Sequence, residues 1–237
     1  MNRIISNPEN EPEAQNLSVS QTDRRQSGRK RRVQARTLVS RERIEGAALV
    51  AFSEAGFHGA STRDIASRAG VTQQLVTYHY SSKLDLWKAA AERGFGELQT
   101  RLAGRLEGLG DVDESTRAGL LLGDFIRFSA DHPEMPRFML QEGGCPGERL
   151  HWLVDNHVRP MFEGLRDQLQ RLQATGAAVA GNPALLTFMA MTAAGLFAQA
   201  AEFELLSGRD PRSPEVVEEY ADLLGSILIP GATPSEP

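Results

Sequence analysis

The sequence predicts an all-α protein of two lobes: a small N-terminal three-helix domain with a helix-turn-helix, then a larger helical domain. Three observations lead there. From Ser40 onward apolar residues recur at the 3.6-residue spacing of amphipathic helices. No strand-like alternation appears between the turn clusters. The length, 237 residues, exceeds the roughly 100 to 200 residues of a single domain. A hydrophobic content of 41% and a charged content of 24% fit a globular chain. No apolar run approaches the ~20 residues needed to cross a bilayer, so no membrane partner is expected. The opening MNRIISNPENEPEAQNLSVS lacks the apolar region of a secretory signal, and Cys145, the one cysteine, has no partner for an internal disulfide. Both point to the cytoplasm.

Residues 1–38 are polar and aperiodic, which predicts a disordered tail with a basic end. Arg41 to Ala55 places Ile44, Ala47, Ala48, Ala51, Phe52 and Ala55 on one stripe, with Gly56 as a left-handed terminator. Ser61 and Asp64 approximate a capping box that opens a second helix through Ala69, which Gly70 ends. Thr72 caps a third helix to about Tyr80. Ser82 and Asp85 open a long fourth one whose Leu84, Trp87, Ala91, Phe95, Leu98, Leu102 and Leu106 face a core. Further helices are expected over Glu114 to Asp131, Glu134 to Glu142, and Glu148 to Gln173 with a kink at Pro160. Asn182-Pro183 opens a very apolar helix to about Leu206, and a last helix spans Pro214 to Leu228. The chain is therefore divided into domains at 39–88 and 89–230, with 231–237 frayed.

Charge divides the chain in the same way. Met1 to Arg93 carries 15 Lys and Arg against 10 Asp and Glu; Gly94 to Pro237 carries 11 against 21. The basic residues concentrate in Arg24 to Arg43, nine against one acidic, a field suited to phosphate.

Between them, the second and third helices carry the chemistry. A helix-turn-helix that reads DNA needs a small residue where its helices cross and a permissive one at the turn; Ala66 and Gly70 supply them. Ile65, Ala69, Val71 and Val76 fall where such a wedge buries apolar groups, leaving Thr72, Gln73, Gln74, Thr77, Tyr78 and His79 to project outward. Those residue types suit a duplex. Glutamine pairs in bidentate fashion with adenine, threonine meets a base edge or a thymine methyl, and tyrosine and histidine reach phosphate oxygens. Lys83 adds a positive charge at the start of the fourth helix. The bland counterpart is an αα-hairpin whose polar face is merely wet.

From Arg43 to Lys88 the sequence resembles the DNA-binding domain of the TetR family of transcriptional regulators, through AFSEAGF, then STRDIASRAGV, then TYHYSSK. The resemblance implies an all-α homodimer that binds double-stranded DNA at a near-palindromic operator, and a repressor released by a small-molecule effector. It also implies base contacts from Thr72, Gln73 and Gln74, phosphate contacts from Tyr78, His79 and Lys83, and Thr62 and Arg63 at the edge of the second helix. Thr77 replaces a frequent tyrosine, and Gln74 stands where the family often has a small residue.

In the second lobe Phe125, Phe128, Met139, Trp152, Phe162 and Phe188 are candidates to line an apolar effector pocket. The apolar helix after Pro183, with Ala193, Ala194 and Gly195, and the last helix, with Val216, Val217, Tyr220, Leu224 and Ile227, are candidates for a four-helix dimer interface. His132, His151 and His157 lack ligand spacing, so neither a metal nor another cofactor is expected. An enzyme using Cys145 has no nucleophile motif behind it. A helical DNA-binding or interaction module without an effector remains the alternative.

Overall fold

The computed structural model describes residues 37–230. The tail expected over 1–38 lies outside the described residues apart from Thr37 and Leu38, which are already helical, and the end expected to fray, 231–237, lies outside them altogether. The chain divides into two units between Arg43 and Ile44, and the hydrophobic clusters among the described residues all lie in the second.

Helix α1 covers 37–59. Gly56 takes the left-handed φ of +67° that the sequence suggests, yet the helix does not stop at Ala55. Ala60 N–H still donates to the Gly56 carbonyl at 3.2 Å, so helical turns continue past the glycine. Helix α2 spans Thr62–Ala69 and α3 spans Gln73–His79. The three pack around Ile44, Phe52, Ile65, Ala66 and Val76, all buried. Full burial of each large apolar side chain contributes roughly 1.5–3 kcal/mol against the entropy of ordering three short helices.

Helix α4 spans Lys83–Gly108. Its stretch up to Leu98 buries Leu86, Trp87, Ala90, Ala91, Phe95 and Leu98. At Gly94 helix α4 meets Leu49 of α1 and Met135 of α6 (Glu134–Gly143). A Cβ there would lie 2.0 Å from Met135 Sδ and 3.1 Å from Leu49 Cδ2. Helix α5, Glu114–Asp131, starts on the Asp113 carboxylate, which accepts from the backbone N–H groups of Ser115 and Thr116, both at 3.0 Å. The hydroxyls of Ser115 and Thr116 first, and then these backbone contacts, hold the Asp113 carboxyl far below the usual carboxylate range.

The expected helix from Glu148 to Gln173 is divided into α7, Glu148–Leu153, a π-helical turn, Val154–Val158, and α8, Arg159–Ala174. Pro160 has no N–H for the Asn156 carbonyl and its ring crowds that carbonyl, so the ladder loosens one turn before the proline. The Asn156 side chain donates to the Trp152 carbonyl at 2.7 Å across the loosened turn. His157, within that turn, stacks on Phe95 with ring centres 4.7 Å apart. Its Nε2 is buried without a hydrogen-bond partner among the described residues.

The expected single apolar helix from Pro183 to Leu206 is corrected to three: α9, Pro183–Thr192, α10, Gly195–Ala198, and α11, Ala200–Ser207. The chain bends by 78° between Pro183–Ala198 and α11. Periodicity could not show the breaks, because the partners that take the released carbonyls come from distant elements. Tyr220 Oη donates to the Ala193 carbonyl at 3.0 Å, and Arg137 Nε donates to that of Ala198 at 3.3 Å. Among the described residues no single helix is long and apolar enough to cross a membrane.

Helix α12, Pro214–Leu228, lies along α5 over a core of Ile126, Phe197, Val217, Ala221 and Leu224, and Glu218 pairs in bidentate fashion with Arg127 at 2.6 and 2.7 Å. Val216, Val217 and Leu224, read as partner-facing in the sequence, are buried within the chain. The apolar side chains of these two helices that remain exposed are Leu185, Phe188 and Met189 on α9 and Leu223 and Ile227 on α12.

Two stability measurements test this packing. Gly94→Val should lower stability by about 2 kcal/mol through overpacking against Met135 and Leu49, whereas Gly96→Ala, whose Cβ meets nothing within 4 Å, should raise it by up to about 1 kcal/mol in urea denaturation. Burial lowers the His157 pKa below its ordinary value of 6.5. The unfolded chain therefore binds a proton there before the native one does, and stability should fall as pH drops below about 6.5. In His157→Phe, which keeps the stack on Phe95, the slope of midpoint against pH in that acid range should be shallower.

Candidate functional site

The turn between α2 and α3 is fixed from both sides. Ser61 Oγ accepts from Asp64 N–H at 3.1 Å and starts α2. At its other end Gly70 adopts φ 62°, ψ 40°, Val71 N–H donates to the Ala66 carbonyl at 3.0 Å, and Gly70 N–H donates to that of Ser67 at 3.1 Å. That pair of bonds is a Schellman closure, which requires a left-handed residue where glycine stands. Two residues later Thr72 Oγ1 accepts from Leu75 N–H at 3.3 Å and opens α3.

Helix α3 buries one residue, Val76. Behind it Tyr80 is buried, and its hydroxyl donates to Glu45 Oε1 at 2.6 Å, tying the end of α3 to α1. This anchoring leaves a polar ridge outside. Thr72, Gln73, Gln74, Thr77 and Tyr78 are exposed, Tyr78 to 80%. Gln73 Nε2 donates to Thr62 Oγ1 at 3.4 Å, which joins the start of α3 to the edge of α2, where Arg63 is exposed. Thr77 Oγ1 donates back to the Gln74 carbonyl at 3.0 Å, so its methyl is the part left to meet a partner. His79 is half-buried and its ring lies 5.2 Å from that of Tyr78.

Lys83 differs from the other ridge residues. Its Nζ donates to the His58 carbonyl at 3.2 Å and sits 5.0 Å from the centre of the Phe57 ring. In this structure the ammonium is held by α1, and a phosphate would have to draw it off a carbonyl and an aromatic face.

A cavity of about 210 Å³ lies among α4, α5, α8, α9 and the end of α12. Of the six sequence candidates Phe125 lines it. Phe128 is buried and faces a polar cleft formed with α1 and α4. Met139 and Trp152 pack on the cluster around Trp87 and Phe138, Phe162 is half-buried outside the lining, and Phe188 is 62% exposed. The lining is chiefly aliphatic, so an aromatic search passes over it. The signal that could have found it is the stripe Met161, Leu165, Leu169, Leu172 on α8, near i, i+4 spacing.

The three histidines are apart and separately engaged. His132 Nδ1 lies 3.3 Å from Glu134, His151 Nδ1 lies 2.8 Å from the Gly147 carbonyl, and His157 rests on Phe95. Among the described residues no group of three or more His, Cys, Asp or Glu is arranged to hold a metal ion. Cys145 is free and exposed.

Comparison with known proteins bears on the ridge and the fold separately. Residues 44–90 match the model of bacterial regulatory proteins of the tetR family. Over 91 residues the chain is 34% identical to the HTH-type transcriptional activator FasR of Mycolicibacterium smegmatis, a match that covers 36% of this chain and 42% of that protein. Two solved structures share the fold of most of the chain. AibR, in complex with isovaleryl coenzyme A and operator DNA, superposes with a TM-score of 0.65 at 16% identity, covering 81% of this chain and 98% of AibR. A tetR-family regulatory protein from Rhodococcus RHA1 gives 0.63 at 16% identity, covering 80% and 96%.

The turn is testable apart from any ligand. Gly70→Ala should cost about 1–2 kcal/mol for the left-handed residue, and Thr72→Ala about 1 kcal/mol for the lost cap, both read as a shifted denaturation midpoint.

Proposed function

We propose that this chain, whose residues 44–90 match the model of the tetR family of bacterial regulatory proteins, is a member of that family and a cytoplasmic, homodimeric transcriptional regulator that binds a near-palindromic operator. It acts as a repressor and leaves the DNA when a small molecule occupies the larger lobe. The DNA-binding domain is 39–88 and the effector and dimerisation domain 89–230, with α4 running from one into the other. The observation that carries this reading is the α3 ridge. A helix that buries Val76 alone, and is pinned at both ends, gains little from packing and presents its amides and hydroxyls to a partner.

On this reading Thr72, Gln73, Gln74 and the Thr77 methyl meet base edges in the major groove, and Thr62, Arg63, Tyr78, His79 and Lys83 meet phosphates. Two such ridges must lie one helical turn of DNA apart, about 34–36 Å, which requires a two-fold dimer. The exposed apolar side chains of α9 and α12 support one, since a monomer has no reason to leave Leu185, Phe188, Leu223 and Ile227 in water. Release by an effector is a population shift: the molecule must bind the DNA-incompetent arrangement more tightly than the competent one.

Fluorescence anisotropy on the DNA flanking the chain's own gene tests the proposal. Binding should be sequence-selective and weaken steeply with salt. Gln73→Ala and Gln74→Ala should each lose about 1–3 kcal/mol of discrimination at one base pair. Lys83→Met should weaken all sequences alike and flatten the salt dependence. Affinity that is indifferent to sequence would overturn the reading.

A further inference from the structure

The cavity among α4, α5, α8 and α9 contains a hydroxyl that folding alone does not explain. Thr187 lines it and is 3% exposed, and its Oγ1 is buried without a hydrogen-bond partner among the described residues. Other helical hydroxyls in this chain bond back to a carbonyl one turn earlier: Thr100 to Gly96 at 2.8 Å, Ser129 to Phe125 at 2.8 Å, and Thr192, in the same helix as Thr187, to Phe188 at 2.9 Å. That is the ordinary way for such a group to avoid the cost of dry burial. Gln168, half-buried on α8, is the other polar side chain in the lining, and no charged side chain lines it.

We infer that this cavity is the site for an uncharged, mainly aliphatic small molecule carrying one polar oxygen, which pairs with the Thr187 hydroxyl while its hydrocarbon body fills the space beside Phe125 and Met161. The inference rests on the reading of the chain as an effector-responsive regulator and gives that effector its chemistry. A carboxylate or phosphate placed here would leave water with no cation to receive it, a penalty of many-fold in affinity. A pure hydrocarbon would leave the hydroxyl unpaired. A ketone, ester or alcohol answers both, because a threonine hydroxyl donates as well as accepts.

Size narrows the class further. At a share of roughly 30 Å³ per atom, the volume of a water in the liquid, 210 Å³ encloses about seven non-hydrogen atoms. Leu106 and Leu165, which line the cavity, are also exposed, so it reaches the surface beside them and a longer chain can leave there.

Three probes of matched length distinguish the chemistry in calorimetric titrations of the full chain at neutral pH: 2-heptanone, heptanoate and heptane. The ketone should bind at least tenfold more tightly than the carboxylate and several-fold more tightly than the alkane. Thr187→Val should lose the ketone's advantage over heptane, a drop of roughly three- to tenfold, and Thr187→Ser should retain it. Heptanoate binding as tightly as the ketone, or a Thr187→Val protein that binds all three as the wild type does, would overturn the assignment. So would failure of the ketone to bind a chain that still binds its operator. Should the ketone bind as described yet leave operator affinity unchanged, the cavity chemistry stands and the effector-release reading falls.

Discussion

The indole of Trp87 is fully buried in an aromatic cage, with ring centres 5.4 Å from Phe138, 5.8 Å from Trp152 and 6.4 Å from Phe57. Phe57 belongs to α1, Phe138 to α6 and Trp152 to α7, so one side chain of α4 joins three other helices. Arg149 closes the cage. Its guanidinium lies 4.2 Å from the Phe57 ring centre and donates to the buried carboxylate of Glu142 at 3.0 Å. A buried carboxylate that lost this partner would be left uncompensated, so the ion pair fixes α7 where it rests on the cage.

Because α4 is one helix of 26 residues, its two ends are mechanically linked. The N-terminal end carries the cage and, through Ser82 and Tyr80, the end of α3. Leu102 and Leu106 at the far end line the apolar cavity. Close packing makes such a rod respond as a body, so a change in the seating of Leu102 and Leu106 has a direct route to the polar ridge of α3. Helix α8 offers a second route. Its Met161 and Leu165 line the same cavity, and the π-helical turn before it leads to Trp152 and Arg149 on the cage. A turn holding one extra residue per loop is a place where a helix can shift register at low cost.

Much of the polar surface of α3 was legible in the chain itself. Ser61, Thr72 and Ser82 each cap the helix that their side chains predict, and Gly70 takes the left-handed conformation at the junction. These signals are local: a hydroxyl and an amide two or three residues away, or a residue without Cβ at a turn. The outward face of α3 follows from them, since once both helix ends are set the positions of Val76 and of its polar neighbours are fixed by the helical step of about 100° per residue. Lys83 is the exception, because its carbonyl and aromatic partners, His58 and Phe57, lie a whole helix back on α1.

The sequence by itself determined the class of structure, the helix-turn-helix with its caps and glycine, and the residues of the polar ridge, since each depends on neighbours a few positions away. Tertiary structure alone decided where the apolar helix after Pro183 breaks, because Tyr220 and Arg137, from elements far off in the chain, donate hydrogen bonds to the freed carbonyls. It also decided which apolar side chains surround a cavity and which fill the core. Hydrophobic periodicity says that a face is turned away from water, but whether that face meets another side chain or an empty volume depends on the shapes of five separate segments at once.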